Sequence, residues 1–357
     1  MFPEFEFETL TAPVASFYAA LALGVLFGLL AEQTKFCLRR SVVGPDRRKA
    51  GGVWAMALAV AVLGTQAAIW FGLIDFSGHR FFNTDMPVVA IVLGGLMFGA
   101  GMILTRGCAS RLTVLSGTGN IRALATLVMF AIVANATLKG PLAQTRLDLG
   151  AAKVNIASAQ ETAIAYGAWI GVVLALGLII FALRSGNSGG LLIRAAGIGA
   201  IVAASWAITG YVLYDDFDVI PLESVAFTLT AADTLFWITA SSVVDTKFTL
   251  GLIAGVVAGA GISAIIGGRF IWVGFDGPRQ MGRYALGAAM MGFGGVTAGG
   301  CTVGAGLAGI PTLSIAAVLA LIAIIAGAKG MDYALNAIPS FRGYGGLNTT
   351  LPQQPAE

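Results

Sequence analysis

Long apolar runs, separated by short polar stretches, make up most of this 357-residue chain. A helix needs about 20 apolar residues to cross the hydrocarbon core of a bilayer, and several of these runs reach that length. Because lipid offers the backbone no hydrogen bonds, such runs predict helices that span a membrane. The predicted spans cover residues 12–31, 51–74, 87–104, 121–138, 162–183, 191–213, 250–266, 284–298 and 313–328.

One further segment, residues 224–242, is ambiguous because Asp233 interrupts its β-branched and aromatic residues. Its pattern is typical of a short interfacial or re-entrant helix. The whole chain, 1–357, is therefore predicted to be a single all-α transmembrane domain. Its predicted parts are a first repeat at about 15–140, connecting helices at about 160–242 and a second repeat at about 245–335.

The two repeats are inferred from a pair of similar glycine-rich segments, residues 94–120 and 287–309. In each segment an apolar run ends at a glycine followed by a cysteine, and the two cysteines lie 193 residues apart. A match at one fixed offset predicts two halves of common architecture, which in many transporters are inverted in the membrane. The matched residues are Gly94 and Gly287, Met97 and Met290, Gly99 and Gly292, Gly101 and Gly294, Gly107 and Gly300, and Cys108 and Cys301.

The spans that lead to these cysteines, 87–104 and 284–298, are short for crossing a membrane, and each then meets a glycine-containing break. Irregular backbone at membrane depth is tolerated only inside protein or beside a cavity. Short, interrupted segments in matching halves point to the binding site of a transporter. We therefore predict two re-entrant loops that meet near the membrane centre. Two ordinary helical hairpins with surface turns are the competing interpretation.

The amino-acid composition argues against several classes of function. Only 11% of the residues are charged, against about 25% in soluble domains, and 57% are hydrophobic. The net charge of +3, without a basic binding motif, predicts no nucleic-acid partner. His79 is the sole histidine, and none of the three cysteines forms a CxxC pair. These counts argue against a metal site, a disulfide framework or a histidine-based catalytic triad, and we expect no cofactor.

The basic residues suggest an orientation. The densest basic cluster follows the first predicted span, and the positive-inside rule places such a loop in the cytoplasm. The acidic N-terminus and the acidic segment 214–223 are then expected outside. The cluster comprises Arg39, Arg40, Arg47, Arg48 and Lys49.

The cysteines are the candidate site residues, because Cys37, Cys108 and Cys301 each lie where an apolar run meets a polar break. A thiol is a weak donor and a soft, polarizable acceptor, so it suits a sulfur-containing ligand better than a strongly hydrated oxyanion. Nearby helix N-termini offer N–H groups to an anion. Because no Lys or Arg lies in the middle of a clear span, capture by a buried cation is not expected. Weak sequential sites, which permit fast passage, are expected instead.

Three segments resemble the signature segments of the YeeE/YedE family. This resemblance extends over roughly residues 15–335 and implies a helical, multi-pass inner-membrane protein whose two pseudo-symmetric halves contribute inward-pointing loops. The segments are FCLRR at 36–40, GCASRL at 107–112 with SGTGN at 116–120, and GGCTVGAGLAG at 299–309.

The resemblance also implies a substrate and a path. Family members that have been studied functionally take up thiosulfate, and their cysteines are proposed to pass the ion along through S–H···S hydrogen bonds. Carried over to this chain, those residues are Cys37, Cys108 and Cys301. The expected partners are a small sulfur anion, the lipid bilayer and a small cytoplasmic sulfur-carrier protein. The expected supporting residues are Gly107, Gly300, Thr302, Arg106 and Arg111.

Other functions stay open. Some family members are linked to selenium handling, so a selenium compound is an alternative substrate. A membrane thiol redox protein or sulfurtransferase is a second class, and it would need a low-pKa cysteine with a resolving cysteine nearby. A passive subunit or channel scaffold is a third. The sequence contains no P-loop motif that would indicate direct use of ATP. A non-enzymatic permease is the leading hypothesis.

Overall fold

The computed structural model describes residues 11–215, 218–242 and 246–337, and almost all of its regular structure is helical. The prediction that the N-terminus lies outside falls largely on residues 1–10, which are outside the described residues. The helices are α1 (Ala12–Thr34), α2 (Leu38–Val43), α3 (Arg47–Trp70), α4 (Val88–Leu104), α5 (Ala109–Gly117), α6 (Ile121–Lys139), α7 (Ala143–Leu149), α8 (Ala157–Ala165), α9 (Gly167–Leu183), α10 (Gly189–Ala207), α11 (Thr228–Ala240), α12 (Phe248–Ile266), α13 (Pro278–Thr297) and α14 (Ile315–Ala337).

Six short elements complete the regular structure of the described residues. Two are π-helical segments, Ile208–Val212 and Thr302–Gly309, and two are 3₁₀ turns, Arg80–Phe82 and Ile310–Thr312. The strands β1 (Asp85–Met86) and β2 (Val154–Asn155) also form one antiparallel ladder of two residue pairs. The predicted all-α class is confirmed.

Eight segments of the described chain are long and apolar enough to cross a membrane, which confirms a polytopic helical membrane protein. Three of them join helices across a break, so that α1 with α2, α4 with α5, and α13 with the π-helical segment Thr302–Gly309 each count as one. The eight are Ala12–Val43, Arg47–Trp70, Val88–Gly117, Ile121–Lys139, Gly189–Val212, Phe248–Ile266, Pro278–Thr312 and Ile315–Ala337.

The predicted span 162–183 is not one straight helix. It divides into α8 and α9, whose axes differ by 74°. The side chain of Gln160 in α8 is 2% exposed and holds this helix against the start of α14. Its amide nitrogen donates to the carbonyl of Leu313 at 3.4 Å, and its amide oxygen accepts from the N–H of Ile315 at 3.3 Å. The ambiguous segment 224–242 contains α11, a helix of 13 residues.

Glycine lets neighbouring helices approach to backbone contact, as small residues do in membrane bundles. Helices α4 and α13 pack antiparallel with glycine against glycine. A Cβ built on Gly94 would lie 2.8 Å from the carbonyl oxygen of Gly294, and one on Gly101 would lie 2.5 Å from that of Gly287. In the sequence, Gly94 matches Gly287 and Gly101 matches Gly294. Gly94 therefore contacts the counterpart of Gly101, and Gly101 contacts the counterpart of Gly94. A two-fold axis produces such crosswise contacts.

The next pair of packed helices repeats this correspondence. Gly99 of α4 faces the backbone of α14 at Ile324, and its match Gly292 of α13 faces the backbone of α6 at Phe130. Equivalent contacts of this kind are what the predicted inverted repeat requires. The relation of the two whole halves stays a prediction.

One end of the bundle is basic. The carboxylate of Glu32, at the end of α1, accepts hydrogen bonds from the hydroxyl of Ser263 at 2.7 Å and from the guanidinium of Arg269 at 2.8 and 2.7 Å. Arg40 of α2 forms an ion pair with Asp46 in the loop that follows this helix. We call this end the basic face, and it carries Arg39, Arg40, Arg47, Arg48 and Lys49. Helix α3 runs from it to residues 71–87 at the opposite end, which we call the cavity face.

Candidate functional site

Each cysteine lies immediately before a helix that follows a break. Cys37 precedes α2, Cys108 precedes α5 and Cys301 precedes the π-helical segment Thr302–Gly309. Each cysteine therefore occupies the N-cap position of the following helix. The free N–H groups of a first helical turn carry partial positive charge. At Cys108 and Cys301, where the following helices have nine and eight residues, the backbone thus suits a negatively charged ligand.

The three breaks share a backbone feature that the sequence does not reveal. The residue two positions before each cysteine is left-handed, with φ of 51° at Lys35, 57° at Arg106 and 78° at Gly299. For a residue with a Cβ this conformation costs about 1–2 kcal/mol. Residues held in such conformations cluster at functional sites. The chain thus makes the same kind of turn before each thiol.

The two glycines next to the cysteines differ. A Cβ on Gly300 would lie 2.8 Å from the backbone nitrogen of Ala305, which is too close without a shift of the backbone. A Cβ on Gly107 would lie 3.5 Å from the side chain of Leu112, an ordinary van der Waals distance. Neither residue has a positive φ. The reason is that Gly299 and Arg106 make the turns instead.

Cys108 is the central thiol of the three. Its side chain is 1% exposed, and its Sγ lies 3.2 Å from the hydroxyl oxygen of Ser110. The same sulfur interacts with the thiol of Cys37 on one side and with the hydroxyl of Thr302 on another. Cys108 and Cys301 also interact electrostatically. The structure therefore brings all three predicted thiols and the predicted supporting residue Thr302 into one cluster.

Cys301 is fully buried at the start of a rare helix type. Its sulfur accepts a hydrogen bond from the N–H of Gly304 at 3.3 Å. The segment that follows is π-helical, a conformation found mostly as short pieces at functional sites. Both buried thiols lie inside the protein, and their predicted depth at the membrane centre stays a prediction.

A cation lies beside the thiols, contrary to the expectation from the sequence. Arg111 interacts electrostatically with Cys37, Cys108 and Glu32. Its Nη1 is buried and has no hydrogen-bond partner among the described residues. Arg111 is one of the predicted supporting residues, but the apolar pattern did not indicate a buried cation because Arg111 follows the break, in the short helix α5, where it does not interrupt an apolar run. Arg106, the other predicted arginine, is exposed and lies near Arg283.

A cavity opens at the cavity face. Its volume of about 480 Å³ is large compared with the roughly 30 Å³ occupied by one water molecule. The turn at His79, Arg80 and Phe81 forms one wall, and Trp206 and Glu223 contribute from α10 and from the segment before α11. The exposed surface of Arg80 faces this space. The cavity reaches Gly304 and Ala308 of the π-helical segment that Cys301 begins.

A smaller cavity of about 10 Å³ shares the lining residues Arg80, Ala226 and Leu229 with the large one. Thr228 and Cys301 also line it, and Cys301 interacts electrostatically with Arg80. The side chain of Thr228 is 2% exposed, and its hydroxyl has no hydrogen-bond partner among the described residues. A buried polar group without a partner costs stability and calls for an explanation. A ligand beside Cys301 would provide the missing partner.

The titratable groups around the large cavity have shifted pKa values. Burial raises the pKa of the Glu223 carboxyl to about 7, and Asp233 adds to this, whereas Arg80 and Lys247 oppose it. Burial and the neighbouring Arg80 lower the pKa of His79 to about 4, so its imidazole is neutral at pH 7. Burial also lowers the pKa of Arg80, and the charge of Glu223 partly compensates.

Sequence analysis missed three residues of this region, Arg80, Thr228 and Glu223. The first and last lie in segments that read as polar loops, and Thr228 lies within the ambiguous segment 224–242, at the start of α11. The one available signal was an arginine beside the sole histidine, His79, which alone has no specific meaning.

The chain is similar to known proteins over most of its length. A family model described as sulphur transport matches residues 33–329, a range that includes all three cysteines. The chain is 26% identical over 347 residues to "Thiosulfate transporter TsuA" of Spirochaeta thermophila, a match that covers 89% of this chain and 98% of that protein. It is 24% identical over 322 residues to a protein of the same name from Escherichia coli, covering 81% and 86%.

Proposed function

Since the chain belongs to the sulphur-transport family, which is the YeeE/YedE family that its cysteine segments resemble, we propose that it takes up thiosulfate or a similar small sulfur anion. The observation that supports the proposal is the cluster of thiols next to the cavities. Arg80 and Cys301 line one cavity, and Cys108 interacts with Cys301, Thr302 and Cys37.

The cavity is the proposed first binding site. The Arg80 guanidinium attracts the anion, and a charge-assisted hydrogen bond to it is stronger than a neutral one. The unpartnered hydroxyl of Thr228 donates to an anion oxygen, and the Cys301 thiol donates to the terminal sulfur. Because the donors at this point are one cation and two neutral groups, the anion is held and can still leave inward.

The thiols carry the next steps. An S–H group and a terminal sulfur are both weakly hydrated, so the exchange of one thiol partner for the next costs little. Cys108 interacts with both Thr302 and Cys37, which gives the anion neighbouring sites on both sides of it. Arg111 balances the negative charge beside Cys37 and Cys108.

The direction of passage follows from the basic face. The positive-inside rule puts the basic loop in the cytoplasm and the cavity face outside, for a protein of the inner membrane. The anion then leaves near Cys37. A small cytoplasmic sulfur-carrier protein would dock on the basic face, which suits an acidic partner.

Reconstitution tests the proposal. The purified chain in lipid vesicles, without any other protein, is expected to take up ³⁵S-thiosulfate down its gradient, and unlabelled thiosulfate should compete far better than sulfate. Vesicles without protein are the control. No uptake by the single chain would contradict the proposal and would favour a passive subunit.

A thiol enzyme is the second candidate, because the structure brings Cys37 next to Cys108. Such a pair could supply an attacking and a resolving thiol. Mass spectrometry after incubation with thiosulfate separates the two functions. A permease leaves all three cysteines unmodified, whereas a sulfurtransferase gains 32 Da, about the mass of one sulfur atom, on one of them.

Thr228→Val is expected to raise the apparent KM for thiosulfate about tenfold. Valine keeps the shape and removes the hydroxyl, whose hydrogen bond to a charged ligand contributes about 1.5–3 kcal/mol. Initial uptake rates over a range of concentrations measure the change. Thr228→Ser should stay near the parent. Thr126→Val, at a buried threonine of α6 that bonds within its own helix, is the matched control. An unchanged KM for Thr228→Val would remove this hydroxyl from the site.

Gly300→Ala is expected to lower uptake severalfold at near-normal membrane level. The added Cβ would press on the backbone at Ala305, in the segment that positions Cys301. A larger residue, as in Gly300→Val, should lower uptake further. Gly107→Ala is the control, since its Cβ has room. Uptake is compared with protein level on a blot, and equal uptake by both alanine variants would contradict the steric argument.

A further inference from the structure

The large cavity contains an internal competitor for an anion. Arg80 contributes the positive charge, and Glu223 contributes a carboxylate to the same space. The two do not form an ion pair or a hydrogen bond with each other in the described structure, although their charges interact. The Glu223 carboxylate receives no hydrogen bond from any described side chain. It is therefore free to respond to a ligand at Arg80.

The backbone holds Glu223 in this place. The hydroxyl of Thr209, in the π-helical segment Ile208–Val212, donates to the carbonyl of Glu223 at 2.7 Å and accepts from its N–H at 3.2 Å. The side chain of Ser224, the next residue, donates to the carbonyl of Val202 in α10 at 2.9 Å. These three bonds fix the segment against α10 and the π-helical segment that follows it, so the carboxyl stays in the cavity.

On the basis of the proposed function, we propose that Glu223 is a proton-binding site coupled to the anion: the cavity binds the dianion when this carboxyl is protonated. An ionised Glu223 offsets the charge of Arg80 and repels the substrate. A protonated Glu223 leaves the guanidinium uncompensated and becomes a hydrogen-bond donor. Each anion bound above neutral pH then takes up one proton.

The surrounding charges are consistent with titration near neutral pH. From the 75–82 loop, Arg80 opposes protonation of Glu223. His79 is neutral there, and Asp75 is exposed and hydrogen-bonded to Ser77 at 2.8 and 2.7 Å.

Helices on the other side add two more charges. Asp233 of α11 favours the protonated carboxyl, and its own partner is Lys139 of α6, 3.7 Å away. Lys247, just before α12, favours the ionised form. Burial outweighs the two cations, and the pKa of Glu223 is raised to about 7. The carboxyl is thus protonated below that pH and ionised above it, while thiosulfate stays a dianion throughout.

Linkage sets the expected result. If protonation favours the anion, the anion must favour protonation by the same factor. The Kd for thiosulfate of the purified protein should be constant below about pH 6 and should weaken about tenfold per pH unit well above 7. Titration calorimetry at pH 8 in two buffers of different ionisation enthalpy should show close to one proton taken up per anion.

Two variants locate the proton. Glu223→Gln should keep the tight, acid-side Kd at every pH from 5.5 to 8.5 and should take up no proton. Asp75→Asn is the matched control, because Asp75 lines the same cavity but is exposed, and it should keep the pH slope of the parent. Size-exclusion chromatography checks that each variant is folded.

The outcomes are distinct. A parent Kd that does not change with pH, no proton uptake, or an unchanged slope in Glu223→Gln would each overturn the proton site. The calorimetry of the parent decides the matter even if the variant does not fold. Absence of thiosulfate binding at every pH would instead contradict the proposed function.

Discussion

Cys108→Ala is expected to reduce thiosulfate uptake to the background of empty vesicles. Cys108 interacts with both Cys37 and Thr302, so its loss interrupts the line of neighbouring sites while the small alanine leaves the fold in place. Cys301→Ala should lose uptake to a similar extent because it removes the thiol that borders the cavity. Uptake of ³⁵S-thiosulfate, divided by the membrane level of each variant, measures the effect.

The serine variants and Cys37 refine this prediction. Serine keeps a donor but is harder and more strongly hydrated, so Cys108→Ser and Cys301→Ser should recover part of the uptake. Cys37→Ala should lose less, because Cys37 is half-buried and lies at the expected exit. Ser205→Ala, a buried change within α10, is the control. If the alanine variants at 108 and 301 transport like the parent, both cysteines are only core residues.

Arg80→Gln is expected to raise the apparent KM for thiosulfate at least tenfold. Glutamine keeps much of the side-chain length and removes the charge that faces both cavities. A hydrogen bond to a charged group contributes about 1.5–3 kcal/mol, and about 1.4 kcal/mol corresponds to tenfold in affinity. Concentration series of initial uptake rates measure it.

Two control variants distinguish the effect of the charge at Arg80 from the effect of the net charge of the protein. Arg80→Lys should recover part of the affinity, because it restores the charge without the planar fork. Arg184→Gln removes an exposed arginine at the opposite end of the bundle and should leave the KM unchanged. Equal losses in Arg80→Gln and Arg184→Gln would show that only net charge matters.

The membrane fold could be predicted because hydropathy reports it directly. Apolar runs are visible residue by residue, and lipid allows them few structures besides helices. The breaks before Cys108 and Cys301 were also visible, since glycine and polar residues interrupt the runs there. The bend inside 162–183 was not visible. It depends on Gln160 reaching the start of α14, about 150 residues further along the chain.

The cavity could not be predicted for a related reason. Arg80 and Glu223 are 143 positions apart, and each lies in a segment that reads as an ordinary polar loop. Contacts of both segments with α10 bring them together. The left-handed turns at Lys35 and Arg106 were hidden as well, because their residue types do not favour that conformation. The sequence pattern around the cysteines indicates a site, whereas the pattern around Arg80, which lines a cavity together with Cys301, does not.

The glycine contacts between α4 and α13 limit how these two helices can move against each other during transport. Where backbones touch, a slide by one residue, 1.5 Å along a helix, would bring a side chain against the neighbouring backbone. Close-packed interiors resist such strain. The two helices therefore form a fixed frame, and a cycle that exposes the site alternately to each side would have to work without sliding them. In a carrier that returns loaded, thiosulfate on the far side of the membrane accelerates influx. For this protein we expect no such acceleration.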